Sequence, residues 1–304
     1  MRLRRALADY LKTRRALGFT LQRAGTLLPD FITFLDTRGC SYVTTTAAIA
    51  WAAQPRDATP RWWTIRLSFV RGFAKYLQTL DARTEVPPLD VFPHPRSRSP
   101  PYVYSPEDLT ALLSASATLV SPLATATYKT LLALLAVTGM RVGEAIALDE
   151  HDVDRRRAVL VIRKTKFGKS REVALHASAV AALEQYRRER DRLAPRQRSP
   201  SFLVSTVGTR LIYQNVHSTF LRLVYAAGLG ARHPRPTIHD LRHTFAIRTV
   251  LDWHRDGCDV EARLPLLSTY MGHVGPSSTY WYLTAVPELL EAATRRLERS
   301  GVAP

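Results

Sequence analysis

Two cysteines in 304 residues, Cys40 and Cys258, stand in unrelated contexts, which excludes a disulfide framework and any metal site of paired-cysteine spacing. No apolar run approaches the length of a membrane span. The first ten residues are basic but pass straight into an amphipathic helix, with neither an apolar core nor a small-residue cleavage site. The chain is therefore expected to stay inside the cell, in the cytoplasm. Acidic side chains are also scarce: 26 Asp and Glu against 43 Lys and Arg give a formal net charge of +17 and a pI near 10.4. Residues 1–100 hold 16 of the basic and 7 of the acidic side chains, net +9, which leaves +8 for the remainder. An excess spread over both parts suits a chain that embraces a polyanion, nucleic acid first among them. The 46% hydrophobic content marks a globular protein, and the length allows two cores.

Lysine is the other scarcity. Only six are present, and Lys164, Lys166 and Lys169 fall within one short stretch. A chain that otherwise chooses arginine has placed amines there, and an amine can surrender a proton where a guanidinium cannot. The bland alternative is a hairpin tip that grips phosphate and does no chemistry.

Taken in order, the first segment reads as helices with no strand pattern. Leu3, Leu7, Tyr10 and Leu11 form one stripe, and Leu27, Leu28, Phe31, Phe34 and Leu35 a second. A shorter Ala-rich helix is predicted from Thr44 to Gln54. From Arg61, apolar Ile65, Phe69, Phe73 and Leu77 are expected on one side, with Arg66, Arg71 and Lys75 on the others. This is domain 1–86, a small helical bundle with a basic exterior. Residues 87–104 are rich in proline, arginine and serine, which forbids helix and keeps them solvated, so they read as a linker. Domain 105–304 opens at Ser105-Pro-Glu-Asp108, with a serine cap, proline at the first helical position and acids in the first turn. Leu131, Leu132, Leu134, Leu135 and Val137 predict a buried helix that stops at Thr138-Gly139. Arg141 heads the next short helix, with Glu144 one turn along, either holding the guanidinium for a ligand or making an ordinary surface pair.

The strong β signal is a hairpin: Ala158–Ile162 and Glu172–Leu175 flank the basic tip. Helices are expected at Ala177–Arg192, whose arginine cluster reads as a solvated face, and at Asn215–Ala227, with a short strand at Ser201–Ser205 between them. At Pro236-Thr-Ile-His239-Asp-Leu-Arg242, Thr237 and Asp240 form a capping-box-like helix start. His239 and Arg242 then share a face beside free backbone N–H groups, a ready site for a phosphate oxygen. His243 reads as a capping or packing residue. Further on stand Gly272-His273 and, nine residues later, Tyr282, with a charged helix predicted from Pro287 to about Arg299.

Arg141 after Thr-Gly, a hairpin lysine, H-x-x-R at 239–242, the Gly-His at 272–273 and Tyr282, in that order and spacing, resemble the tyrosine recombinase or phage integrase family. Thr165–Arg171 and the Pro287-Glu-Leu-Leu ending look most like its integrase-type transposases. The resemblance implies a mainly α fold with a small antiparallel β-sheet: a helical, SAM-like DNA-binding domain followed by an α+β catalytic domain. It implies that Tyr282 attacks a scissile phosphate to give a 3′-phosphotyrosyl link and a free 5′-hydroxyl, which keeps the bond energy without ATP. Arg141 and Arg242 would clamp the non-bridging oxygens, Lys166 would protonate the departing oxygen, His239 would take the tyrosine proton, and His273 would hydrogen-bond the phosphate. The cations would fill the role of a metal, so neither metal nor cofactor is implied. Tyr280 and Tyr282 lie roughly 200° apart on a helix, so one alone can face the site, and the family's spacing selects Tyr282. Lys164 and Lys166 share a strand face; alignment on Lys169-Ser-Arg171 selects Lys166, although Thr165 and Phe167 stand where many members have glycine.

The implied partners are duplex DNA, held by a C-shaped clamp and nucleoid-associated, and further protomers in a homo- or hetero-tetramer on two DNA sites. No membrane is implied, and no extra arm-type domain is expected ahead of residue 1. Two other readings share these features: a type IB topoisomerase-like enzyme and a catalytically silent DNA-binding accessory protein.

Overall fold

The computed structural model of the chain describes residues 3–93, 100–163 and 170–272. The chain folds as two compact units, Met1–Arg98 and Ser99–Pro304.

The first unit contains helices α1 (Leu3–Ala16), α2 (Gln22–Asp36), α3 (Thr45–Ala52) and α4 (Pro60–Gln78), and among its described residues no strand. Local chemistry sets the starts. The Thr44 hydroxyl accepts from the Ala47 N–H, and Pro60, which has no N–H to leave unsatisfied, opens α4. Leu28, Phe31, Ile32, Leu35, Trp51, Val70, Phe73 and Leu77 are wholly buried between the helices. Each such side chain contributes roughly 1.5–3 kcal/mol over an exposed one.

The buried face of α4 differs from the expected one. Arg66, Leu67, Val70, Phe73, Ala74 and Leu77 line it, while Ile65 and Phe69 are only partly covered. Arg66 is 6% exposed; its guanidinium lies 3.8 Å above the Trp51 ring and donates to the Trp51 carbonyl at 2.9 Å. The two candidate stripes share Phe73 and Leu77. What decides between them is that Trp51 offers the arginine both an aromatic face and an acceptor, so a charged residue can be packed as an apolar one. After α4, Pro87 is buried and the Phe92 ring lies tilted against Trp63 with centroids 5.6 Å apart, so these two residues lie on the first unit rather than free in solvent.

The second unit is built around α6 (Pro122–Thr138), which packs against α5 (Pro106–Ala115), α7 (Val142–Ala147), α8 (Ala177–Leu193) and α10 (Asp240–Arg255). The remaining α-helices among the described residues are α9 (Tyr213–Ala226) and α11 (Val260–Met271). Strands β1 (Val153–Asp154), β2 (Val159–Ile162) and β3 (Arg171–Ala174) form an antiparallel sheet in that order, with Leu160 opposite Val173 and Ile162 opposite Arg171. The predicted caps are present: Ser105 and Asp108 make a reciprocal capping box on α5. Just before it, Tyr104 is fully buried, its N–H donating to the Thr244 hydroxyl and its own hydroxyl to the Thr237 carbonyl, which fixes the entry of the chain into this unit.

Three local expectations change. Val137 is 55% exposed, because the buried side of α6 runs through Leu131, Leu132, Leu134 and Leu135 and 137 falls outside it. Within the arginine cluster of α8, Arg190 is 3% exposed, donating to Glu150, Asp191 and the Phe202 carbonyl, so that residue is an internal tie rather than part of a solvated face. Ser201–Ser205 makes isolated bridges, Ser201 to Asp149 and Val204 to Arg210, instead of a strand. No helix among the described residues is long and apolar enough to cross a membrane.

Candidate active site

Two left-handed glycines set the frame. Gly139 (φ 60°) ends α6 and Gly272 (φ 65°) ends α11, each in the conformation that stops a helix at least cost without a Cβ. At Gly139 a Cβ would also run into the Phe245 ring, so the residue lets α10 approach. Arg141 caps α7 just beyond the first turn. On the other side, Asp240 caps the entry to α10: its carboxylate accepts from the Thr237 N–H at 2.8 Å and the Thr237 hydroxyl at 2.7 Å. His239 and Arg242 follow from that start.

The carbonyls of the last two residues of α11 and of its capping Gly272 are each held by a different arginine. Arg171 Nε donates to Tyr270 O at 2.8 Å, Arg242 Nη2 to Met271 O at 2.6 Å, and Arg141 Nη2 to Gly272 O at 2.9 Å. These are acceptors that a helix end leaves without intrahelical donors, and positive charge is favoured there by the helix dipole. Arg242, 2% exposed, also donates Nη1 to Gly139 O at 2.6 Å, so one planar group spans the ends of α6 and α11. Glu144 binds the other two arginines together. Arg171 donates to both of its oxygens at 2.9 and 2.7 Å, and Arg141 donates through Nη1 and through its own backbone N–H, both at 2.9 Å.

Burial of Glu144 would raise its pKa, but the hydrogen bonds from Arg171 and Arg141 and the Arg171 charge outweigh this and bring it from 4.5 to about 2. His239 keeps an open face to solvent. The protein around it displaces water, and the charges of Arg242 and Arg141 add to that, so its pKa falls below the ordinary histidine value. The ring is therefore neutral near pH 7 and able to accept a proton. Its neighbour His243 stands edge-on to it, ring centroids 4.6 Å apart. The set holds three guanidinium groups and one carboxylate, Glu144 meeting Arg141 and Arg171 while Arg242 is held by carbonyls, which leaves two formal positive charges. A phosphodiester carries one negative charge and its pentacovalent transition state two, so such a set stabilises the transition state over the ground state.

The sequence model described as the Phage integrase family matches residues 103–288. A protein of Sinorhizobium fredii, provisionally named integrase/recombinase y4rB, is 44% identical over 97% of both chains. The chain belongs to the phage integrase family. Tyrosine recombinase XerD of Bradyrhizobium diazoefficiens is 28% identical over 97% of this chain and 88% of its own. The fold is also that of the Tn1549 transposon integrase solved with transposon right-end DNA: the TM-score is 0.66 at 16% identity, covering 97% of this chain and 98% of that one. The expected architecture, mainly α with a small antiparallel sheet, is therefore that of a tyrosine recombinase.

Of the residues singled out from the sequence of this integrase-family chain, Arg141, His239 and Arg242 come together as described. Lys164, Lys166, Lys169, His273, Tyr280, Tyr282 and the helix predicted from Pro287 lie outside the described residues. Sequence reasoning missed Arg171. The signal was available in period two: Arg171 shares a strand face with Val173, which is fully buried, while Glu172 and Ala174 are exposed.

The Glu144 pKa carries a prediction. A carboxyl depressed in the folded state stabilises it above the unfolded value, and that contribution is lost as pH falls through the folded value. Wild type should therefore exceed Glu144→Gln in unfolding free energy by roughly 3 kcal/mol at neutral pH, and the gap should close between pH 4.5 and about 2. Urea melts of both proteins across that range measure it. A gap that does not depend on pH would mean that the carboxylate charge is not what holds the arginines.

Proposed function

We propose that this chain is a site-specific DNA recombinase of the integrase-type transposase kind, which cuts and rejoins duplex DNA through a 3′-phosphotyrosyl intermediate. The observation that supports it best is the convergence of Arg141, Arg242 and a neutral His239 around the ends of α6, α10 and α11. Family membership, the +17 charge and the likeness in fold to a transposon integrase agree with it.

In the proposed reaction the scissile phosphate sits against Arg141 and Arg242. Their guanidinium groups are pre-positioned by Glu144 and by the Gly139, Met271 and Gly272 carbonyls, so little reorganisation is needed as charge develops. The Tyr282 hydroxyl oxygen forms a bond to phosphorus and its proton passes to His239. The bond from phosphorus to the 5′-oxygen breaks, and Lys166 supplies the proton that oxygen needs. His273 donates to a non-bridging oxygen. The DNA 3′-end then remains joined to the protein as a phosphodiester, and a 5′-hydroxyl from a second strand reverses the steps to reseal it. Strand exchange requires two DNA sites, hence a tetramer of like or related protomers, with residues 1–86 supplying the helical DNA-binding domain, 87–104 the linker and 105–304 the catalytic domain.

The test is to incubate the purified chain with nicked duplex carrying the ends of its mobile element. An adduct resistant to SDS is expected, with protein on the 3′-phosphate side and a 5′-hydroxyl released, at a yield that chelator and ATP leave unchanged. DNA bound specifically but never joined covalently would overturn the reading in favour of the accessory protein. Relaxation of supercoils without pairing of sites would favour the topoisomerase.

A further inference from the structure

Arg171 has no place in the chemistry above, yet it ties Glu144 to the end of α11. Its three guanidinium nitrogens are all committed: Nε to Tyr270 O at 2.8 Å, Nη1 to Glu144 Oε1 at 2.9 Å and Nη2 to Glu144 Oε2 at 2.7 Å. The pair is well enclosed, with 13% of the Arg171 side chain and 10% of the Glu144 side chain exposed. Two-point pairing fixes the plane of the carboxylate as well as its position, which a single contact does not do. Glu144 in turn meets the Arg141 guanidinium and backbone. A second feature points the same way. A Cβ on Gly272 would lie 2.8 Å from Arg171 Nη1, so the glycine that ends α11 also leaves the room this guanidinium occupies.

We infer that Arg171 is a positioning residue for strand cleavage, which sets the orientation of Arg141 through Glu144 and locks the end of α11 to the base of β3. It is assigned no contact with the phosphate, because each of its three nitrogens is already engaged by Glu144 or the Tyr270 carbonyl and its side chain is only 13% exposed. Its effect reaches the reaction through the direction in which Arg141 presents its remaining N–H groups to the non-bridging oxygens. The inference rests on the recombinase reading, and it assigns to this chain a requirement that the six residues named from the sequence do not include.

Arg171→Gln, which retains one donor nitrogen and no charge, and Arg171→Lys, which retains the charge without the fork, separate the role from mere folding. Both are compared with wild type in single-turnover cleavage at saturating DNA, on a scissile phosphate and on a methylphosphonate. The methylphosphonate is neutral and places one charge fewer on the transition state, so it asks less of Arg141. On phosphate, Arg171→Gln should cleave ~10- to 100-fold more slowly, the scale of a misplaced reacting group, with DNA affinity unchanged. On methylphosphonate the deficit should shrink several-fold, and Arg171→Lys should fall between Arg171→Gln and wild type. An equal loss on both substrates, or a loss confined to DNA affinity, would assign Arg171 to structure alone and overturn the inference while leaving the recombinase reading intact. Absence of cleavage by wild type itself overturns that reading, and this inference with it.

Discussion

Arg242→Ala is expected to lower the rate of DNA cleavage by about 10³-fold or more, since losing one pre-aligned donor to a developing oxyanion costs about 10²–10³-fold alone and this residue also supports its neighbours. The guanidinium joins Gly139 O at the end of α6 to Met271 O at the end of α11, both at 2.6 Å, in a place only 2% exposed to solvent. Removing it takes a donor from two carbonyls, at about 1–3 kcal/mol for each left unsatisfied, so the melting temperature should fall as well. Arg242→Lys separates the two effects. An ammonium retains the charge but cannot reach both carbonyls in one plane or face a phosphate with two parallel donors. Its cleavage rate should fall about 10²-fold. Single-turnover rates measured below the unfolding transition, with circular dichroism to establish that the variant is folded, give the catalytic part. If Arg242→Lys cleaves at the wild-type rate, the fork geometry is irrelevant and the residue acts through charge alone.

How far the site could be read in advance depended on whether a residue's partner was near in sequence or far. The turn at Thr138-Gly139, the cap at Thr237 and Asp240 and the hairpin strands are local: each follows from a left-handed glycine, a short acceptor three residues away or a period of two. Glu144 was legible as a partner of Arg141 for the same reason, being three residues on. Its second partner, Arg171, lies 27 residues further along, and nothing in the spacing announces that pairing. Arg66 and Arg190 failed in the same way. An arginine on a helix is read as solvated until something supplies an aromatic face, a carboxylate or a carbonyl inside the fold, and Trp51, Glu150 and Phe202 come from other elements. The Ser201–Ser205 segment has the composition of a strand, but strand formation needs a partner edge, and here each end meets its bridge singly. Tertiary context therefore changed the roles of charged residues more than it changed the elements that carry them.

Tyr282→Phe should abolish covalent adduct formation, while Tyr280→Phe should leave the rate within a few-fold of wild type. The argument is chemical first: phenylalanine differs from tyrosine by the one oxygen that would form the bond to phosphorus, so packing is largely retained while the nucleophile is gone. DNA affinity should accordingly stay as in wild type, because that affinity comes from the contacts of many basic side chains with phosphates. The choice between the two tyrosines turns on register. They are two residues apart, which on a helix turns them to nearly opposite sides, and the family's spacing from Gly272-His273 selects Tyr282. In the proposed reaction His239, neutral near pH 7 beside Arg141 and Arg242, would be the base for whichever hydroxyl arrives there. If the adduct is instead lost in Tyr280→Phe and retained in Tyr282→Phe, the register is displaced by two residues. The arginine framework that ends α11 would then still stand, because its contacts to Tyr270, Met271 and Gly272 do not depend on which tyrosine follows.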